Sequence, residues 1–258
     1  MNKTTDSTMS LLDYQPAPDL LEGHVLLVTG ADDGIGRAVS LAAAGVGATV
    51  ILLGQNIKKL ETVYDEILAE KCPEPAIYPM NLEGAAWQDY EKLAATLKDE
   101  FGHLDGLVHN AALFQHLTPL AHHDPQLWAR ILHVNLTAPF LLTQVCLPLL
   151  EAAQAASVIF VSDEAGRRGM AYWGAYGISK FGLEGLMQTI AEETETHTNI
   201  RANSLDPGPV RTDMHIRVYP EEPESGVLRP NQVTPAFLYL LGHDSADCSG
   251  HAFTAQLA

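Results

Sequence analysis

Tyr176 and Lys180 stand four residues apart in the run Tyr176-Gly177-Ile178-Ser179-Lys180. On a helix this spacing puts both side chains on one face, about one turn apart. A lysine ammonium beside a phenol stabilises the phenolate and lowers the tyrosine pKa, which makes the tyrosine a usable acid or base near neutrality. Alone the pair is a weak signal, because the same spacing arises by chance on surface helices. A second motif upstream strengthens it: Thr29-Gly30-Ala31-Asp32-Asp33-Gly34-Ile35-Gly36, which follows the strand-like His24-Val25-Leu26-Leu27-Val28 and leads into the helix-like Arg37-Ala38-Val39-Ser40-Leu41-Ala42. Glycines between a strand and a helix let the backbone approach a pyrophosphate, whose charge sits at the helix N-terminus. The spacing here is Gly-x-x-x-Gly-x-Gly, not the commoner Gly-x-Gly-x-x-Gly.

These residues need a scaffold, and the hydrophobic pattern predicts one. Strand-like apolar runs near 24–29, 48–54, 75–80, 105–109, 157–162 and 199–206 alternate with helical stretches. Such alternation implies an α/β fold with right-handed crossovers and a parallel sheet covered by helices on both faces. Sheets of this kind bind ligands at the C-terminal ends of their strands, where each motif above falls. A chain of 258 residues, 47% apolar, suits one domain with a large core. The polar, proline-broken residues 1–18 read as a flexible tail ahead of a single domain over 19–258. Residues 213–233, with Pro220, Pro223 and Pro230, read as an insert before the last helix.

The formal net charge of −17 argues against nucleic acid or an anionic membrane as partner, since phosphate surfaces are bound by clustered cations. It fits a solvated acidic surface or an adaptation to high salt. No apolar run of membrane-spanning length and no signal pattern is evident, so a cytoplasmic protein is expected. Cys72, Cys146 and Cys248 are far apart and read as reduced thiols. His116, His122 and His123 lack zinc-site spacing and read as a surface loop, so no metal site is expected.

The glycine turn followed about 145 residues later by Tyr-x-x-x-Lys resembles the short-chain dehydrogenase/reductase (SDR) family. Asn110-Ala111-Ala112 after the fourth strand, Asn135 in His133-Val134-Asn135, and Pro207-Gly208 with Thr212 follow in the family's order. Tyr14-Gln15-Pro16, the run Tyr172–Tyr176 and Phe253-Thr254-Ala255-Gln256 are most similar to its YciK-like bacterial subgroup. The resemblance implies a single-domain, Rossmann-type, doubly wound parallel sheet. It also implies an NAD(P)-dependent oxidoreductase that moves a hydride between a nicotinamide and a small carbonyl or secondary alcohol. Assembly into a homodimer or homotetramer through helices near 124–152 and 174–195 is implied as well, with 213–233 as a short substrate lid.

By the same resemblance, Gly30, Asp32, Asp33, Gly34, Ile35 and Gly36 would hold the pyrophosphate region, and Gln55 would stand by the adenosine ribose. Asn81 and Leu82 would flank the adenine, and Asn110 and Ala111 would lie near the other ribose. Pro207, Gly208 and Thr212 would frame the nicotinamide, and Tyr176 and Lys180 would complete the cofactor site. The end of the second strand, Leu52-Leu53-Gly54-Gln55-Asn56, carries no acid for ribose hydroxyls, which weakens an NAD reading. Gln55 stands where many NADP-dependent relatives carry arginine, and Asp33 where they carry a base. Arg37 and Lys58 are candidates to compensate. NADP and NAD both stay open, with the balance toward NADP. Asp206, in place of the usual asparagine before Pro-Gly, is a change that a turn tolerates.

Tyr176 would be the proton donor or acceptor at the substrate oxygen, Lys180 would lower its pKa, and Asn135 would fix a water that relays protons. A fourth member, a serine, is expected thirteen residues before the tyrosine and three before a glycine. Counting from Tyr176 and from Gly166 reaches the same residue, Asp163. Ser162 adjoins it, but successive strand residues face opposite ways. An ionised Asp163 is awkward, because carbonyl reduction builds negative charge on oxygen, where a donor is wanted. Two like charges at ~4 Å repel by about 4 kcal/mol at an effective dielectric near 20, equivalent to about three pKa units on Tyr176. Three arrangements relieve this. Asp163 is protonated; or it accepts a hydrogen bond from a substrate alcohol or amine; or it pairs with Arg167 or Arg168 and points away. Otherwise the chain is a nucleotide-binding protein with weak or lost catalysis.

Overall fold

The computed structural model describes residues 10–223 and 225–256. Seven parallel strands form one sheet in the order β3-β2-β1-β4-β5-β6-β7. They are β1 Val25–Thr29, β2 Thr49–Gly54, β3 Ala76–Pro79, β4 Gly106–His109, β5 Ala156–Val161, β6 Ile200–Asp206 and β7 Ala252–Thr254. Central strands such as β1, Val-Leu-Leu-Val-Thr, are buried at every position. They show no alternation because helices cover both faces. The six expected strands are present with ends within a residue or two. The three-residue β7 lacks a readable pattern; it extends the sheet beside β6.

Two cores follow. On one face, α1 Gly34–Gly45, α2 Ile57–Ala69 and α8 Thr234–Leu241 pack Val39, Leu60, Ile67 and Phe237 against Leu26, Val28 and Leu52. On the other, α3 Trp87–Glu100, α5 Ala138–Glu151 and α6 Gly174–Thr194 pack Tyr90, Leu93, Leu142 and Met187 against Leu27, Leu107 and Phe160. The chain builds outward from β1 to β3 and then returns to β4. That reversal opens a crevice above the C-terminal ends of β1 and β4.

Helix α4, Pro125–Leu132, continues through a π-helical turn, His133–Thr137, into α5. The combined helix Pro125–Glu151 is, by length and composition, apolar enough to cross a membrane. The sequence shows no uninterrupted run of that length, because Arg130, His133 and Asn135 break it. In the fold, α5 lies against α3 and the sheet, with Leu142, Cys146 and Leu149 buried. The described part of segment 213–233 contains a short helix, α7 Asp213–Val218, capped by the Thr212 hydroxyl, and a 3₁₀ turn, Pro230–Gln232.

Residues 10–18 depart from the expected loose tail. Ser10 caps a 3₁₀ turn, Leu11–Asp13. Tyr14 is buried edge-on against Tyr239 at 5.4 Å, and its hydroxyl donates to Asp244 Oδ2 at 2.8 Å. An aromatic ring with a satisfied hydroxyl outweighs the local proline content. Residues 1–9 lie outside the described residues.

Candidate active site

A cavity of about 500 Å³ runs along the crevice, from Gln55, Asn56 and Asn81 at one end to Asp163, Tyr176 and Lys180 at the other. The glycine turn forms its middle. Gly30 and Gly34 adopt φ of +64° and +53°, a region that favours glycine. The Asp33 side chain caps α1, accepting from Gly34 N at 2.7 Å. Asn110, at the end of β4, locks the turn: its Nδ2 donates to Thr29 O at 2.9 Å, and its own N–H and that of Ala111 both donate to Thr29 Oγ1 at 3.0 Å. Ala111 lines the cavity beside Asn110. Gly36 does not line it. A Cβ there would clash with Gly30 O and Asn110 Nδ2, so this glycine permits close helix–strand packing.

At the β2 end, Gln55 and Leu82 line the wall, and Asn81 Oδ1 accepts from Glu83 N at 3.1 Å. Asp32 turns to β2, accepting from Asn56 N at 3.2 Å. The cation at this end is Lys59, which sequence reasoning missed. Its Nζ pairs with Asp33 Oδ2, and both side chains are half exposed. Burial pushes the Asp33 carboxyl up, but the bonds from Lys59 and Gly34 and the charge of Arg37 outweigh it and hold it below its usual range. Arg37 pairs with Glu66 instead of turning to the cavity, and Lys58 is exposed outside it.

At the other end, helix α6 brings Tyr176 and Lys180 to the ends of β5 and β6. Lys180 is buried, its Nζ donates to Val161 O at 2.6 Å and stands 5.5 Å from the Tyr176 ring centre. Burial pushes Lys180 down to about 8, against the upward pull of Asp163, Asp206 and Glu184. Tyr176 Oη donates to Asp163 Oδ2 at 3.2 Å. Burial, then Asp163 and Asp206, hold the phenol well above its ordinary value. The expected depression by Lys180 is therefore outweighed.

Asp163 Oδ1 caps the 3₁₀ turn Glu164–Gly166 by accepting from Ala165 N at 2.8 Å. The arrangement in which Asp163 pairs with a neighbouring arginine does not occur. Arg167 Nε donates to Glu184 Oε1 at 2.9 Å, and Arg168 Nη2 to Glu164 Oε1 at 2.6 Å. Ser162 points to the opposite side from Asp163, donating to Glu184 Oε1 at 2.5 Å, so its hydroxyl does not meet Tyr176. Glu184 also accepts from Ser204 Oγ at 2.6 Å. This buried carboxylate ties β5, β6, α6 and Arg167 together beneath the site. Arg167 reaches on to Thr254 Oγ1 at 2.7 Å and Phe253 O at 2.7 Å.

Asn135 sits in the π-helical turn. Its Oδ1 accepts from Leu113 N at 2.6 Å, and its Nδ2 donates to Leu113 O and Ser179 Oγ, each at 3.0 Å. The amide thus braces the loop after β4 against α6.

Pro207, Gly208 and Thr212 line the wall above β6. Gly208 N donates to Asp206 Oδ1 at 2.8 Å, and Gln256 Nε2 donates to Pro207 O at 2.7 Å. Asp206 is buried, and desolvation raises its carboxyl above the ordinary range. Thr212 Oγ1 accepts from His215 N at 3.2 Å, which leaves its own proton available. Phe114, Trp173 and Tyr219 complete the open side near Asp163. Of the three histidines read as a loop, His123 packs edge-on to Trp128 at 5.5 Å and accepts from Ala175 N at 3.4 Å, beside the start of α6.

A sequence model described as short chain dehydrogenase matches residues 24–223. The chain is 40% identical over 245 residues to the "uncharacterized oxidoreductase YciK" of Escherichia coli (strain K12), covering 95% of this chain and 96% of that protein. Among solved structures, a short chain dehydrogenase from Pseudomonas syringae is similar at 47% identity with a TM-score of 0.93, over 95% of this chain and 99% of the other. A short chain dehydrogenase from Shigella flexneri 2a str. 301, complexed with NADP, is similar at 39% identity with a TM-score of 0.91, over 93% of this chain and 100% of the other.

Proposed function

The chain belongs to the short-chain dehydrogenase family, and on that premise we propose that it is an NADP(H)-dependent oxidoreductase acting on a small carbonyl or secondary alcohol, with Tyr176 as the acid and base. The observation that carries this reading is one continuous cavity with the glycine turn at its middle and Tyr176 and Lys180 at one end. A cavity of this kind suits a dinucleotide. Gly30 and Gly34 clear the backbone, α1 presents its N-terminus, and Lys59 offers a cation at the β2 end for a 2′-phosphate. The NADP held by the Shigella relative supports that choice.

When bound, the nicotinamide exchanges a hydride with the substrate carbon. The chain's own residues handle the proton on the substrate oxygen. Tyr176, kept protonated by burial and by Asp163, is loaded as an acid at neutral pH. Lys180, held by Val161 O and pushed down to about 8, is the adjoining group able to exchange a proton near neutrality. Asn135 braces the loop that carries Leu113 to α6, which fixes the wall facing Tyr176. The reaction belongs in the cytoplasm, where the three free thiols stay reduced.

One observation favours a second reading, a nucleotide-binding protein with weak or lost catalysis: the Tyr176 proton is committed to Asp163, at the place where the family's serine donates. Binding of NADPH and NADH, followed by nicotinamide fluorescence, and turnover against a carbonyl panel separate the two. We expect wild type and Tyr176→Phe to bind NADPH alike, and turnover to fall by roughly 10²–10⁴-fold in the variant. If wild type binds but is inactive while Asp163→Ser turns over, the second reading holds.

A further inference from the structure

Asp163 is a partly buried carboxylate facing the reacting end of the cavity. Its two oxygens have one donor each, Ala165 N on Oδ1 and Tyr176 Oη on Oδ2. The nearby cations are engaged elsewhere: Arg167 with Glu184, Arg168 with Glu164, and Lys180 with the Val161 carbonyl. Arg217, which also lines the cavity, turns its Nε to Asp213 O at 3.2 Å. A substrate oxygen that receives the Tyr176 proton takes the donor away from Asp163 Oδ2. The half-buried carboxylate is then left with one donor fewer, which is unfavourable. A donor on the substrate would restore it.

The walls point to what it is. Phe114, Trp173 and Tyr176 pack ring to ring at 5.2–5.5 Å, and Tyr219, just after α7, lines the same cavity. Aromatic faces around a carboxylate attract a cation through both the ring quadrupole and the charge. Because Tyr176 Oη and Asp163 Oδ2 are only 3.2 Å apart, a substrate with its oxygen and its cation on adjacent carbons reaches both.

We propose that the substrate is a vicinal amino ketone or amino alcohol, its oxygen on Tyr176 and its ammonium on Asp163 between the aromatic walls. This rests on the oxidoreductase reading above and deepens it. In reduction, the carbonyl carbon gains a hydride from the reduced nicotinamide, the oxygen gains the Tyr176 proton, and the ammonium keeps its protons, so atoms and charge balance. Asp163 thereby replaces the family's serine with a specificity-determining carboxylate. The substrate ammonium adds to the compensation that the Lys180 charge already gives it.

The test uses wild type, Asp163→Asn and Glu164→Gln, each saturated with NADP⁺ and titrated calorimetrically. The probes are isopropanolamine and its neutral isostere sec-butanol, which carries a methyl where the first has an ammonium. Wild type and Glu164→Gln should bind the amine about 10- to 100-fold more tightly than sec-butanol, the range of a charge-assisted hydrogen bond. Asp163→Asn should bind the two alike, while its NADP⁺ affinity shows that the fold is intact. Equal affinity in wild type, tighter binding of sec-butanol, or no amine binding at millimolar concentration overturns the proposal. With NADP⁺ bound normally, any of these leaves the oxidoreductase reading standing. Failure of wild type to bind NADP⁺ defeats that reading, and the substrate assignment with it.

Discussion

Lys59 and Asp33 hold each other at the β2 end of the cavity, and on the NADP(H) reading proposed above this is the contact that a 2′-phosphate would meet. Each is half exposed, so the pair contributes little to stability. Its cost falls on the ligand: a 2′-phosphate must compete with Asp33 for the ammonium. Lys59→Ala should weaken NADPH binding by roughly tenfold, about 1.4 kcal/mol, within the range of one partly screened charge-assisted bond. NADH binding should change by less than about twofold, since it lacks the phosphate that the lysine meets. Fluorescence titration of both cofactors checks this, and an equal loss for both would exclude phosphate recognition by Lys59. The choice of cation was not legible in the sequence. Arg37, Lys58 and Lys59 are all near the turn, and the phases of α1 and α2 together decide which of them reaches the cavity and which meets Glu66. Asp163 was legible, because two independent spacings reach it and strand alternation turns Ser162 the other way.

Helix α6 does two jobs along one length. Its first turns carry Tyr176 and Lys180, and one turn further on Glu184 accepts from Ser162, Ser204 and Arg167. Glu184 thus clamps the turn that holds Asp163 to the helix that holds Tyr176, so the separation of those two groups depends on it. Removing the carboxylate strands a partly buried guanidinium and two hydroxyls. Glu184→Ala should destabilise the fold by about 2–4 kcal/mol, seen as a lower urea midpoint with an unchanged slope. Glu184→Gln, which keeps an acceptor, should lose less. A variant as stable as wild type would mean that the clamp carries no load. Position 184 gave no sign of this in the sequence, where a glutamate on a helix reads as solvent-facing. Its partners converge from β5, β6 and the following turn, which only tertiary structure brings together. Asn135 was found by its motif, but the π-helical turn that aims its amide at Leu113 has no periodic signature. The packing of Tyr14 was hidden for a similar reason, since its partner Asp244 lies 230 residues away.

At the scale of the molecule, the alternation of apolar runs was enough to predict the parallel sheet, because fully buried strands leave an unambiguous record. The surface record is less direct. Net charge is −17, yet α5 and α6 expose Phe140, Ile178 and Phe181, each close to half accessible. The two helices are neighbours, with Leu136 of the π-helical turn packed on Gly182. Exposed apolar side chains thus stand on two adjoining elements of a net acidic protein. Large apolar side chains grouped in this way mark an association surface, and each fully buried is worth about 1.5–3 kcal/mol. A self-complementary patch on a pair of helices favours a closed two-fold contact between identical chains. Wild type should therefore sediment as a dimer or tetramer. Phe181→Glu places a charge where the contact would be driest, and should sediment as a monomer at micromolar concentration with its far-ultraviolet circular dichroism unchanged. Tyr176 is turned away from this face into its own cavity, so the monomer should still bind NADPH. A wild type that sediments as a monomer would leave the patch without an identical partner. A Phe181→Glu variant that keeps the wild-type assembly would place the contact elsewhere on the surface.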